Sequence, residues 1–329
     1  MVPAVTPYAA TLHRKARFLA GFLFVGALLN GCALLGPPQY TSLKEQRPPD
    51  LPVRVELKEV PFFAQEEYQC GPASISMAMN AAGARVTPEQ MLDQVYVPAL
   101  KGSLQIEMLV APRRHGLVTY QLAPQLTDLL REVAAGTPVI VLENYRYRWW
   151  PLWHYAVIVG YDLDAGEIIR RSGTKQRQTM PFPVFEYVWL DEGYWAMVVV
   201  PPDRVPVTAT EARYAQAVAA LERGGHIKNA RIAYNAMLKR WPGSLGGLMG
   251  LGNTAYALKD PDAAEAAFKQ ATQAHPGAAA AFNNLAHVLA LRGKLDEALD
   301  AAERAVSLGG PLLPASQATL DEIRGKAGK

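Results

Sequence analysis

A thiol outside the N-terminal region is the side chain of this 329-residue sequence best suited to covalent chemistry. Cys70 lies in the stretch FFAQEEYQCGPASISMAMN, directly before Gly71-Pro72. The spacing of apolar residues after Pro72 predicts a helix that ends at Gly83. Cys70 would then begin that helix, where free backbone N–H groups and the helix dipole favour a thiolate and predict a lowered thiol pKa. We therefore interpret Cys70 as a nucleophile rather than a core residue.

A nucleophilic cysteine needs a base, and of the six histidines His154 is the best placed. It begins the β-type run HYAVIVGYD, directly after the aromatic stretch YRYRWWPLW. Residues at strand ends beside loops often carry catalytic groups. A metal site is not expected at Cys70, because no second cysteine or histidine lies near it in sequence. No cofactor is predicted.

Two sequence blocks carry a resemblance to a known family. The block VPFFAQEEYQCGPAS, with its Gln…Cys-Gly-Pro pattern, and the block HYAVIVGYD resemble papain-like cysteine peptidases of the bacteriocin-processing (double-glycine leader) family and its stand-alone relatives. The resemblance spans residues 59–200. It implies that Cys70 is the nucleophile, His154 the general base and Gln65 a side-chain donor to the oxyanion hole. It also implies a peptide or protein substrate.

The residue that should orient the imidazole departs from the pattern of that family, which has Asp or Asn after the histidine strand. Here the following hairpin brings residues 172–175 opposite His154, and none of them is a carboxylate. Ser172 is a candidate for holding the imidazole tautomer, and Glu143 or Asn144 on a neighbouring strand are alternatives. Because a hydroxyl stabilises an imidazolium less well than a carboxylate does, weakened or lost activity is an open alternative.

The first 31 residues predict a lipoprotein signal peptide. Basic residues precede the apolar run FLAGFLFVGALLNGCALLG, with no acidic residue before it. The end of this run, residues 29–32, resembles the lipobox of bacterial lipoproteins, which implies cleavage after Gly31 and lipidation of Cys32. An uncleaved transmembrane anchor is the alternative. Either interpretation places the body outside the cytoplasm, and the absence of Asp after Cys32 resembles outer-membrane sorting towards the periplasm.

Charge balance argues against one class of partner. Removal of residues 1–31 takes away Arg14, Lys15 and Arg17 and leaves 30 basic against 30 acidic residues. Such a chain has no basic field for nucleic acid. Residues 32–54 are rich in proline and polar side chains and predict a tether.

Residues 55–201 predict an α+β domain with an antiparallel sheet, the fold class that the resemblance also implies. A capping box at residues 87–90 predicts a helix to Val95, and Ser103 is expected to cap a second helix over 104–114. The predicted strands are 138–143, 154–162, 167–171 and 194–200. Helices followed by strands with short turns indicate an α+β architecture.

A period of 34 residues appears in the alanine-rich part of the chain, residues 207–327. One position of the period is alanine and the position four residues later is mostly aromatic: Ala230, Ala264 and Ala298, then Tyr234, Phe268 and Ala302. This pattern resembles the tetratricopeptide repeat, with repeats at 211–244, 245–278 and 279–312 and a capping helix at 313–327. An unrelated helical bundle is the alternative. The resemblance implies a concave surface that binds a protein partner.

Together these features predict a membrane-anchored cysteine peptidase with a repeat domain for protein binding. Two alternatives stay open. One is a catalytically weak or inactive peptidase-like scaffold that binds peptides, and the other is a cell-wall peptide hydrolase that uses the same Cys–His chemistry.

Overall fold

The computed structural model describes residues 37–65 and 68–327. The predicted signal peptide and the predicted lipidation site, Cys32, lie outside the described residues. The chain divides into two compact units, residues 1–48 and 49–329. The described part of the first unit contains helix α1 (Pro38–Glu45), so the predicted tether is partly helical. Among the described residues, no helix combines the length and the apolar character that a membrane span requires.

The first part of the second unit contains short helices and a sheet. Its strands are β1 (Arg54–Glu56), β2 (Tyr96–Val97), β3 (Gly102–Ser103), β4 (Val118–Gln121), β5 (Val139–Asn144), β6 (Trp153–Asp162), β7 (Glu167–Ser172), β8 (Lys175–Pro181) and β9 (Ala196–Val200). Its helices are α2 (Cys70–Ala81), α3 (Pro88–Val95), α4 (Gln105–Arg114), α5 (Leu126–Ala134) and α6 (Phe182–Leu190).

The main sheet has the strand order β4-β9-β5-β6-β7-β8, with β1 also paired to β6, and its strand pairs are antiparallel. This confirms the predicted α+β class. Helix α2 packs across the sheet, where Ile75 and Met79 join Val157 and Met197 in one buried cluster. Burial of this apolar helix face is the main force that holds the start of α2 against β6.

Local sequence signals were mostly confirmed. Thr87 and Gln90 form the predicted capping box at the start of α3. The prediction for Ser103 was wrong, because α4 has Leu104 at its N-cap and Ser103 pairs with Tyr96 in the small β2–β3 ladder. The sequence analysis also missed α6, the short strands β1 to β4, and β8. Strand β8 lies at the sheet edge with mostly exposed side chains, so it lacks the apolar run by which β5, β6, β7 and β9 were found.

The second part of the unit is entirely helical. Its helices are α7 (Glu211–Arg223), α8 (Ile227–Arg240), α9 (Leu245–Ala257), α10 (Pro261–Ala274), α11 (Ala279–Leu291), α12 (Leu295–Leu308) and α13 (Leu313–Ala327). One helix pair occupies each predicted 34-residue repeat. Ala264, Ala298 and Ala302 are fully buried beside Phe268, because small side chains let neighbouring helices approach while the aromatic ring fills the space between them.

Hydrogen bonds join the helical region to the sheet region. Asn229 Nδ2 of α8 donates to the Gly116 carbonyl at 2.8 Å. Before α7, the backbone N–H and hydroxyl of Thr208 donate to Glu132 Oε1 at 2.8 and 2.6 Å. Glu132 is fully buried, and burial raises the pKa of its carboxyl group. The two regions are therefore connected by partly buried polar contacts in addition to the chain itself.

Candidate active site

Cys70 lies at the N-terminus of α2, beside strand β6. The backbone N–H groups that act on its thiol are those of Tyr155, Gly71 and Cys70 itself. A side chain at Gly71 would overlap Ser103, so glycine at this position lets the start of the helix lie close to β3. The predicted nucleophile is thus held next to the residue that follows His154.

His154 lies near the start of β6 and is partly buried. Its Nε2 atom is 2.9 Å from Ser172 Oγ, and its ring stacks on Tyr145 with centroids 5.2 Å apart. Within the described residues the imidazole forms no second hydrogen bond, and none joins it to Cys70 Sγ. Nδ1 is therefore the ring nitrogen without a hydrogen bond to a described residue. Of the three candidate orienting residues, Ser172 is the one that contacts the imidazole directly.

Gln65 joins three parts of the site through its side chain. Its Nε2 atom donates to Ser74 Oγ and to the Tyr155 carbonyl, both at 3.1 Å, and its Oε1 atom accepts from Gly173 N at 2.7 Å. The Gly173 N–H can only donate and the Tyr155 carbonyl can only accept, so these partners determine the amide orientation. In this geometry both amide hydrogens are used. Gln65 therefore connects α2, β6 and the turn that follows Ser172.

A buried ion pair between Glu143 of β5 and Arg170 of β7 lies near Ser172. Arg170 Nη1 donates to both carboxylate oxygens of Glu143 at 2.6 Å, and the Tyr145 hydroxyl donates to Glu143 Oε2 at 2.6 Å. Both charged residues are almost completely buried. Burial raises the pKa of Glu143, while Arg170 and Tyr145 oppose that rise. The sequence analysis considered Glu143 but missed Arg170 and Tyr145. The signal that could have shown the ion pair is a charged residue in each of two apolar β runs.

Asn144 was considered as a residue that orients His154, but its side chain bonds to Asp191 and to the loop after β5 instead. Its side chain donates to Asp191 Oδ2 at 2.8 Å and accepts from the backbone N–H groups of Arg146 and Leu152 at 3.0 and 2.9 Å. These bonds shape the aromatic loop between β5 and β6, in which Trp149 is 81% exposed. The loop leads directly to His154, so it forms the rim of the site.

The electrostatic state of the thiol and imidazole differs from the expectation. Burial raises the pKa of Cys70, and the three backbone N–H groups only partly offset it, so the predicted lowering of the thiol pKa by the helix start was wrong. Burial, together with Arg170, lowers the pKa of His154 to about 4. The resting pair at neutral pH is therefore a thiol and a neutral imidazole. Such an imidazole can accept the thiol proton during attack, as a general base.

No cluster of three or more metal-ligating His, Cys, Asp or Glu side chains occurs in the part of the chain that the structure describes.

Comparisons with known proteins follow the same division of the chain. Residues 57–197 match the Peptidase C39-like family, and residues 249–312 match the tetratricopeptide repeat. Among solved structures, a Bacillus anthracis protein assigned as a C39-like peptidase is similar, with 16% sequence identity and a TM-score of 0.39. The match covers 45% of this chain and 97% of that one.

The helical region has neighbours of its own. The Yersinia enterocolitica type III secretion translocator chaperone SycD is 18% identical with a TM-score of 0.34, and the match covers 36% of this chain and 86% of that one. The first tetratricopeptide domain of Spaghetti (RPAP3), bound to an HSP90 peptide, is 17% identical with a TM-score of 0.34, covering 36% of this chain and 94% of that one. A comparison with curated proteins found no match.

The raised thiol pKa predicts a late titration of Cys70. The thiolate absorbance near 240 nm, taken as the difference between wild type and Cys70→Ala, should appear at higher pH than for a free cysteine. His154→Ala should move the midpoint by less than about half a pH unit, because a neutral imidazole does not stabilise the thiolate by charge. An absorbance step near neutral pH that disappears in His154→Ala would instead demonstrate a thiolate–imidazolium pair.

The buried bonds of Gln65 predict a stability loss on its removal. Gln65→Ala leaves the Gly173 N–H without its side-chain acceptor, and we expect it to lower the free energy of unfolding of this domain by about 2–3 kcal/mol. Denaturant titration followed by tryptophan fluorescence measures this. Gln121→Ala, on the exposed face of β4, is the matched control and should change the stability by less than about 0.5 kcal/mol. Equal effects from the two variants would contradict the structural role of Gln65.

Proposed function

We propose that this chain is a cysteine peptidase that hydrolyses peptide bonds through Cys70 and His154. Its support is the C39-like match together with a thiol held beside the strand that carries the imidazole. His154 Nδ1 takes the thiol proton as Cys70 Sγ forms a bond to the peptide carbonyl carbon. The C–N bond then breaks, the amine leaves with that proton, and water hydrolyses the thioester. The finer assignment, a stand-alone relative of the bacteriocin-processing peptidases, belongs to the same proposal.

The tetrahedral intermediate would be stabilised by the Cys70 backbone N–H and by Gln65 Nε2. For the second donor, one amide hydrogen must leave its partner in the described geometry. Ser74 Oγ lies 3.2 Å from the Tyr155 carbonyl and donates to it. That carbonyl therefore keeps a donor if Gln65 turns towards the oxyanion, which makes the exchange inexpensive.

The helical region is proposed to bind a protein partner or the substrate. Tetratricopeptide repeats generally mediate protein–protein interaction, and the SycD and Spaghetti neighbours include peptide-bound forms. A cavity of about 250 Å³ is lined by residues of α9, α10 and α11. Its polar groups include Asn253, Tyr256, Asn284 and His287, and Phe268 and Val288 are its apolar members. Such polar groups suit the backbone of an extended peptide.

We propose that a lipid on Cys32 anchors the protein to a bacterial membrane, with the outer membrane facing the periplasm as the expected location. The support is the sequence alone: the basic and apolar segment that ends in Leu29-Asn30-Gly31-Cys32. An anchored enzyme of this kind would act on peptides of the cell envelope.

A second candidate function has its own observation. The thiol pKa is raised, the imidazole pKa is lowered, and the hydrogen-bond partner of His154 among the described residues is a hydroxyl group, that of Ser172. Each feature makes the attack less favourable than in a site with a preformed thiolate. A scaffold that binds peptides in the same groove without cutting them is therefore the alternative.

Cleavage of a peptide library tests the proposed function. The full-length protein is incubated with peptides derived from an envelope proteome and with cell-wall peptides, and new termini are identified by mass spectrometry. We expect cleavage by wild type, none by Cys70→Ala, and a fall in kcat/KM of about 10³-fold in His154→Ala. His275→Ala, in the helical region, is the matched control and should cleave normally.

The outcomes separate the candidates. Cleavage of cell-wall peptides alone would make the protein a cell-wall hydrolase. Peptides that bind equally to wild type and Cys70→Ala but are never cut would overturn the peptidase proposal in favour of the scaffold.

Lipidation of Cys32 is tested by metabolic labelling with an alkyne fatty acid in a bacterial host. We expect label on wild type and its loss in Cys32→Ser, which should also release the protein from the membrane fraction. Cys70→Ser is the matched control and should keep both the label and the membrane association. Membrane association that persists without label in Cys32→Ser would favour the uncleaved transmembrane anchor.

A further inference from the structure

Helix α6 has its one charged residue on the inside and apolar residues on the outside. Glu186 is almost completely buried, and Phe185 and Trp189 are fully buried beside it. On the opposite face Val184 and Tyr187 are exposed, Tyr187 to 73%. A surface helix normally turns its polar side to water, so an apolar outward face indicates a surface that binds a partner.

The aromatic loop between β5 and β6, residues 145–152, is exposed along its whole length. The ring of Trp149 stacks on that of Tyr147, with centroids 4.8 Å apart and planes 4° from parallel. Trp150 is also exposed, and the Arg146 guanidinium lies 5.7 Å from its ring centroid. These large rings are therefore held at the surface by contacts with one another and with arginine.

Asp191 joins this loop to the end of α6. It is the C-cap of the helix, and its carboxylate accepts from Asn144 Nδ2 at 2.8 Å and lies 3.8 Å from Arg148 Nε. Tyr187 precedes Asp191 by four residues, so the two lie on the same side of α6. The outward face of the helix and the loop thus form one surface. We call it the aromatic patch, and its members are Tyr147, Trp149, Trp150, Leu152, Val184 and Tyr187.

The charges beside the aromatic patch are mainly positive. The loop carries Arg146 and Arg148 and no acidic residue. The side chain of Arg148 is 79% exposed, whereas that of Asp191 is 22% exposed and already accepts a bond from Asn144. Guanidinium groups bind phosphate oxygens well because their donors match phosphate geometry. The patch therefore offers aromatic rings and phosphate-binding groups side by side.

We propose that the aromatic patch binds the surface of a lipid bilayer, with its rings at the level of the headgroups. Tryptophan and tyrosine are enriched at membrane interfaces, because each has an apolar ring and a polar group that stays hydrated. Arg146 and Arg148 would bind lipid phosphates, while their aliphatic parts lie along the apolar surface. Leu152 and Val184 would face the acyl chains.

The shape of the loop favours a bilayer over a protein partner. The loop is a tight turn, in which the Trp150 N–H donates to the Tyr147 carbonyl at 2.9 Å. Its exposed rings can enter a soft lipid interface without a preformed complement. A protein partner would have to supply a pocket of matching shape for each large ring.

The proposed lipid anchor would keep the patch near a membrane. Residues 33–48 separate Cys32 from the second unit, and α1 takes up half of them. Such a tether reaches about 40 Å at most, which raises the effective concentration of the patch at the bilayer. The aromatic loop leads to His154, so the contact would place the proposed peptidase site beside the membrane surface. That consequence rests on the proposed function, whereas the contact itself does not.

Tryptophan quenching by brominated lipid tests the contact. The full-length protein is reconstituted into vesicles of phosphatidylethanolamine and phosphatidylglycerol, with or without bromine near the headgroup end of the acyl chains. We expect the brominated lipid to quench wild-type emission, because Trp149 and Trp150 would lie close to the bromine. Replacement of both by phenylalanine should remove most of this quenching. High salt should weaken it, since the arginines contribute by charge.

A second variant keeps every tryptophan. Tyr187→Glu places a charge on the patch, and the cost of bringing that charge into the interface should abolish most of the quenching. Ile232→Glu, at an exposed apolar position of α8 in the helical region, is the matched control and should be quenched like wild type. Denaturant titration verifies that both variants fold, as expected for changes at exposed positions.

The outcomes separate the patch from the anchor. Protein that floats with the vesicles but is not quenched would overturn the bilayer contact and leave the anchor intact. Equal loss of quenching in Tyr187→Glu and Ile232→Glu would also overturn it. So would a change in the emission of Trp149 and Trp150 that appears only on addition of peptide or only at high protein concentration, because a peptide or a second copy would then cover the patch.

Discussion

Strand β6 is hydrogen-bonded along both of its edges, and this double pairing decides where the site residues lie. Its partner β5 carries Glu143 opposite His154, and its partner β7 ends in Ser172. A slip of one residue in either pairing would turn the affected side chains to the other face of the sheet. The base, its hydroxyl partner and the ion pair behind it are therefore consequences of one strand register. Helix α2 adds the thiol from above this strand.

Competition between burial and local dipoles determines the protonation of the site. From the sequence, the position of Cys70 at a helix start indicated a thiolate, because the dipole and free N–H groups are local features that a pattern reveals. Burial is a property of the whole fold, and at Cys70 and His154 it outweighs those local terms. The result at neutral pH is a thiol beside a neutral imidazole rather than a thiolate–imidazolium pair.

The sequence predicted well the features that depend on short-range patterns of residues. The helix at Cys70, the capping box at Thr87 and the strand at His154 each depend on residues within a few positions of one another. The position of Ser172 beside His154 also followed, since two strands joined by a short turn leave little freedom of register. Arg170 and Tyr145 could not be placed this way, because their roles depend on which strand edges meet in the sheet. No sequence pattern shows that both hydrogens of the Gln65 side-chain amide donate hydrogen bonds.

Glu132 accepts two hydrogen bonds from Thr208, and Asn229 donates one to the Gly116 carbonyl. The chain after β9 is therefore bonded to the sheet region both before α7 and on α8. A hinge here would expose a buried carboxylate and leave polar groups unpaired, which is costly. The helical region thus behaves as a fixed extension of the sheet region. If the repeats bind a peptide as proposed, that peptide would meet the sheet region in one fixed orientation, and selectivity would then depend on distance along the peptide as well as on side-chain identity.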